Sequence, residues 1–152
     1  MGYLTISGPA EAGPEECDAA RAAGRWAAEH GHVVVCGGLG GVMEAAARGA
    51  QDGGGFSVGL LPGSKRSDAN PFLSVALPTG LGEIRNALLV RATDVVLCVG
   101  GSWGTLSELA LAVRTGVPVV ALRTWQLPDD DDVTRVDTVE DALAALGTLL
   151  PR

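Results

Sequence analysis

Between Val99 and Leu109 the chain reads VGGSWGTLSEL, an apolar run followed by Gly100, Gly101, Ser102, Trp103, Gly104 and Thr105, with Glu108 shortly after. Glycine lets a backbone approach a ligand closely. The free N–H groups of a following helix favour an anion. Thr105-x-x-Glu108 allows two readings. As a capping box, with Thr105 at N-cap and Glu108 at N3, it is worth about 1 kcal/mol to the helix. As a site residue, Glu108 is a carboxylate able to stabilise an oxocarbenium-like centre or to activate water at a sugar C1. Spacing by itself favours the cap. Arg85, at the start of the preceding helical stretch, offers a planar fork for phosphate or carboxylate. It reads equally well as a surface arginine with a helix partner.

Two further turns have a similar character. Gly8-Pro9 follows an apolar strand pattern, and Gly37-Gly38-Leu39-Gly40-Gly41 follows another and opens a helix. One such loop is explained by tight turning. Two that lead into helices point to a nucleotide- or phosphate-type ligand. Neither is a Walker loop, because no Gly-Lys-Ser/Thr follows. Gly38-x-Gly40 lacks dinucleotide spacing, since Met43 stands at the last glycine position. Asn70 and Thr79 are candidates for the rim of the site. Trp103 is placed either to stack on a base or to pack at a subunit contact.

The elements that must position these residues alternate along the chain. Strand patterns cover residues 3–7, 32–38, 56–62, 94–101 and 118–122, with a short edge strand at 74–78. Helical patterns cover 15–30, 41–51, 82–93, 104–116 and 138–150, the last capped by Thr138 with Asp141 at the right offset. Gly31 is placed to end the first helix and Gly116 the fourth. The strands are continuous apolar runs, as expected for burial on both faces. The reading is α/β: one doubly wound domain over 1–152, with a mainly parallel sheet and helices on both faces. Ligands then bind outside the carboxyl ends of the strands.

The bulk numbers narrow the function. Of 152 residues, 47% are hydrophobic and only 19% charged, and the formal net charge is −7. With no basic stripe, the chain lacks the electrostatic footprint of a nucleic-acid binder. Cys17, Cys36 and Cys98 have no zinc-type spacing and read as reduced thiols of a cytoplasmic protein. His30 and His32 read as solvated turn histidines, and Asp129–Asp132 as a solvated loop in preference to a divalent-ion site. No metal is expected. Trp26 and Trp125 read as core or interface. The start MGYLTISGP enters a strand directly, and no signal peptide or membrane span is expected. Ile6 stands where myristoylation needs Ser or Thr.

The stretch from Arg85 to Glu108 resembles the LOG-like superfamily of Rossmann proteins, often labelled lysine decarboxylase-like. Its signature is PGGxGTxxE preceded by an Arg-Lys pair. Arg85, Gly101, Gly104, Thr105 and Glu108 match without a gap. Gly100 replaces the proline, Ser102 the second loop glycine, and Asn86 the lysine. With VCGGLGGVMEAAARGA, ANPF, LPTGLGEIRNALLVRATD and GTLSELALAVRTGVPVVAL, these departures resemble the branch of molybdenum cofactor carrier proteins. The resemblance implies a single-domain Rossmann-like fold that forms a homodimer or homotetramer. It also implies a carrier or sensor role for a nucleotide-like phosphorylated molecule, with a nucleotide or molybdopterin-type ligand bound. The alternative it implies is a nucleoside 5′-monophosphate phosphoribohydrolase, releasing free base and ribose 5-phosphate with Arg85 and Glu108 as the catalytic pair. Distant similarity of the fold to DNA-processing proteins raises DNA binding, which the charge opposes. Pyridoxal-phosphate decarboxylation needs a Schiff-base lysine, and the only lysine is Lys65, in a polar loop.

Overall fold

The computed structural model describes every residue except 129–131. All but the last residue of the acidic segment Asp129–Asp132 therefore lies outside the described residues. The chain runs β1 (Tyr3–Ser7), α1 (Pro14–Glu29), β2 (Val33–Cys36), α2 (Val42–Asp52), β3 (Phe56–Leu61), β4 (Val75–Pro78), α3 (Arg85–Arg91), β5 (Val95–Val99), α4 (Trp103–Thr115), β6 (Val119–Leu122), β7 (Val133–Val136) and α5 (Val139–Leu149). Short 3-10 turns at Arg66–Asp68 and Gly82–Ile84 precede β4 and α3.

The strands form one seven-stranded sheet in the order β4-β3-β2-β1-β5-β6-β7. Every pairing is parallel. The doubly wound single domain expected from the element pattern is what forms. The chain winds outward from β1 to β4, then returns beside β1 as β5 and winds the other way. The order therefore reverses between β1 and β5, the place where such sheets leave a crevice at their carboxyl ends.

Alternation along each strand divides the core. Leu4, Ile6, Val34, Val95, Leu97, Val99, Val120 and Leu122 face α1, α2 and α5. Val96, Cys98, Val119 and Ala121 meet Val90 of α3 and Leu109 and Ala112 of α4. Val33 and Val35 meet Leu89 of α3. With both faces covered, β2, β5 and β6 are apolar on both sides, while the polar Thr5 and Ser7 of β1 and Ser57 of β3 are buried.

Several local expectations are met. Gly31 and Gly116 follow their helices with φ of 76° and 75°, and the Thr138 side chain accepts from the Asp141 N–H at 3.2 Å. The edge position of 74–78 is confirmed by β4. Others are corrected. The strand β7 was not foreseen, because VTRV carries only two apolar residues and sits at an edge. The third helix starts later than residue 82, since Gly82–Ile84 is a 3-10 turn. His32 is buried, not solvated: its Nδ1 accepts the Gly2 N–H at 3.0 Å, and burial pushes its pKa down. Cys36 and Cys98 are buried free thiols. Among the described residues, no helix is long and apolar enough to cross a membrane.

Candidate functional site

A cleft of about 300 Å³ opens at the reversal point. Its walls come from the end of β1 (Ser7, Gly8), the β2–α2 loop and α2 (Leu39, Met43), and the N-terminal turns of α3 and α4. α3 follows β4 at one edge of the sheet and α4 follows β5, and the first turns of both reach the same cleft.

Arg85 is the first residue of α3 and is 8% exposed. Its Nε donates to the Leu60 carbonyl at 2.8 Å, Nη2 to the Gly37 carbonyl at 3.3 Å, and Nη1 to Asn86 Oδ1. Gly37 makes this possible, because a Cβ there would lie 2.7 Å from Arg85 Nη2. All three acceptors are neutral, and among the described residues Arg85 forms no ion pair. Of five guanidinium N–H groups, two are left for the cleft. Burial pulls the guanidinium below its ordinary value, and the charge of Glu108 opposes that. A buried, uncompensated cation is costly unless an anion joins it.

Glu108 does not cap α4. The N-cap is Ser102, whose side chain accepts from the Thr105 N–H at 3.2 Å, and Thr105 stands at N3. The capping-box assignment was displaced by one turn. Glu108 lies further into the helix, 6% exposed, and its Oε2 accepts a hydrogen bond from Ser7 Oγ. Burial pushes its carboxyl from 4.5 up to about 7, against the pull of Arg85.

Two expectations follow. Ser102→Ala removes the helix cap and is expected to lower stability by about 1 kcal/mol, measured by chemical denaturation. Glu108, with its folded pKa raised, contributes stability that is fully present below about 4.5 and lost as the pH rises through about 7. The folded state binds the extra proton in that window, so stability must fall with rising pH. The loss is about 3 kcal/mol at most, and denaturation curves for Glu108→Gln are expected to be flatter across it.

The cleft thus gathers Gly8, Arg85, Ser102, Gly104, Thr105 and Glu108 from the expected set. The others surround it. Gly38 accepts from the Asn70 N–H at 2.9 Å, and the Asn70 side chain donates to the Leu39 carbonyl at 3.0 Å. Asn70 therefore ties down the glycine loop and does not line the cleft. Gly40 continues this loop, and Gly41 has a φ of 61° and packs against the Pro9 carbonyl. The Thr79 hydroxyl donates to the Leu61 carbonyl at 2.7 Å. Gly101 lies against Trp125. Trp103, 78% exposed, stacks on Trp125 with ring centroids 5.3 Å apart. Trp125 donates from Nε1 to the Ser102 carbonyl at 2.8 Å, and Trp26 packs against the α1 core. Ser7 and Asn86 line the cleft although neither was singled out as a site residue. The available signal was position: Ser7 is a small hydroxyl at a strand end, directly before Gly8. Among the described residues, no group of three or more His, Cys, Asp or Glu side chains is arranged to hold a metal ion.

This fold and cleft place the molecule among Rossmann-like proteins with a ligand crevice at the sheet's reversal point. The chain belongs to the SLOG cluster4 family, whose model matches residues 2–145. It is 41% identical over 120 residues to an uncharacterized protein of Archaeoglobus fulgidus, covering 79% of each chain. Its fold is similar to that of the molybdenum cofactor binding protein from Rippkaea orientalis, with a TM-score of 0.91, 30% identity, and 97% and 96% of the two chains covered. It is also similar to the molybdenum cofactor carrier protein of Chlamydomonas reinhardtii, with a TM-score of 0.85, 29% identity, and 97% of each chain covered.

Proposed function

We propose that this chain is a carrier or sensor that holds a phosphorylated, nucleotide-like small molecule, of the molybdopterin class, in the cleft over Arg85. The observation that carries the proposal is the buried Arg85 guanidinium with only neutral partners. A phosphate supplies the missing charge and can accept two N–H bonds from one guanidinium. Ser102 takes up the Thr105 N–H, which leaves the Trp103 and Gly104 N–H groups of α4 for the same anion. The likeness to the Rippkaea and Chlamydomonas proteins supports a carrier of this class. We further propose that it works in the cytoplasm as a homodimer or homotetramer. Leu81, Ile84 and Leu88, exposed on and before α3, suit self-association, and light scattering in solution tests it.

The hydrolase reading draws on one observation, the buried Glu108 carboxyl with a pKa near neutrality at the cleft, as a general acid–base group requires. One experiment separates the two. The protein is incubated with AMP and related monophosphates, while binding is followed by thermal shift and base release by chromatography. A carrier gives saturable stabilisation, about 2.7 kcal/mol at a hundredfold excess over Kd, with no free base. Base release that is lost in Glu108→Ala establishes the hydrolase. No stabilisation by any phosphorylated ligand overturns the carrier.

A further inference from the structure

Arg85 and Glu108 line the same cleft from adjacent helices, yet neither neutralises the other through an ion pair. Arg85 is held by three neutral oxygens, and Glu108 by the Ser7 hydroxyl at Oε2. Oε1 therefore remains for a proton. An anion drawn to Arg85 sits in the cleft that Glu108 lines. Like charges in a poorly solvated site disfavour each other's ionised forms. A proton on Glu108 removes the repulsion and converts the carboxyl into a hydrogen-bond donor.

We propose that the cleft takes up its anion together with a proton on Glu108, so that ligand is held more tightly in acid and released as the pH rises. This rests on the reading of the cleft as an anion site. The remaining groups around Glu108 leave it as the titrating partner. From β1 it meets Ser7, and from α3 Arg85, with Asn86 in the same cleft wall. The Cys36 thiol on β2 is pushed by burial up to about 11, and that of Cys98 on β5 is pushed higher still. Both stay neutral across the relevant range, and arginine stays charged. Glu83, exposed on the 3-10 turn before α3, also lines the cleft and needs its own control. In the free protein Glu108 titrates near neutrality. A bound anion raises that pKa further, so affinity must fall as the pH climbs between the two values.

The test is calorimetric titration with inorganic sulfate, at constant ionic strength, from about pH 6 to about pH 8.5. Sulfate keeps the same charge throughout. Two buffers of different ionisation heat count the protons. The expected result is a Kd that weakens on the order of tenfold over the range, with up to about one proton taken up per sulfate. Glu108→Gln preserves the side-chain shape and an acceptor for Ser7, and should abolish both effects. Glu83→Gln should retain both. Sulfate binding without proton uptake, or an unchanged slope in Glu108→Gln, overturns the coupling and leaves the anion site standing. No sulfate binding at any pH overturns the anion site as well. If Glu108→Gln does not fold, the proton count on the unaltered protein decides.

Discussion

Arg85→Met is expected to weaken binding of a phosphate monoester by on the order of 100-fold, about 3 kcal/mol. Among the described residues the guanidinium is the one buried cation of the cleft, and its three hydrogen-bonded protein partners are neutral. Glu108 offsets part of its charge without a hydrogen bond, and a bound phosphate adds a directly bonded counter-charge. Methionine keeps the apolar stem and loses the fork. The free protein should be affected much less. Two opposing effects act there: the Leu60 and Gly37 carbonyls lose their donor, at about 1–3 kcal/mol for a buried acceptor, while the desolvation penalty of an unmatched charge disappears. Calorimetric titration and a melting curve on the same sample separate the two. A variant that binds as tightly as the parent would place the anion elsewhere.

The second large effect lies in the layer formed by α1 and α2, remote from the chemistry. A Cβ built on Gly49 would lie 2.0 Å from the Arg21 carbonyl oxygen, and one on Gly24 would lie 2.2 Å from that of Ala46. The two helices touch backbone to backbone at these glycines. Gly49→Ala therefore sets two principles against each other. Alanine is the better helix former by about 1 kcal/mol, whereas overpacking a rigid contact costs about 1–3 kcal/mol, occasionally more. Backbone cannot rotate out of the way as a side chain can, so the steric term wins. The expected net loss is about 2 kcal/mol, or about 6 °C in Tm. Gly147→Ala gives the contrast. It lies within α5, and its nearest neighbour would be Trp26 at 3.6 Å, an ordinary contact. There propensity acts alone, and stability should rise by about 0.5–1 kcal/mol. Thermal melts of the two variants check both signs.

The alternation of apolar runs and helical spacing made the sheet legible from the sequence. A strand buried on both faces has no polar alternation to obscure it, as β2, β5 and β6 demonstrate. VTRV at β7 escaped notice because an edge strand needs fewer apolar residues, and Thr134 and Arg135 resemble loop. The cap of α4 was misplaced for a related reason. Ser102-x-x-Thr105 and Thr105-x-x-Glu108 are overlapping registers of one local pattern, and the capping-box rule prefers the one with a glutamate at N3. The deciding contact is tertiary. The Ser7 hydroxyl, 101 positions earlier in the chain, draws Glu108 inward. Local spacing carries no trace of that partner. Asn70 and Thr79 illustrate the converse. Expected at the ligand rim, each holds a loop through a backbone carbonyl. The glycine positions were legible in type and less so in role. Gly37 creates space for a guanidinium, which the sequence cannot show without the third dimension.

The central claim is that Arg85 holds a phosphorylated small molecule in this cleft. Native mass spectrometry of the purified protein beside Arg85→Met tests it most directly, with the released small molecules then identified by their fragment masses. The expected result is a phosphate-bearing adduct on the unaltered chain that is lost from the variant. An adduct retained equally by both proteins, or no phosphate-bearing species on either, would contradict it.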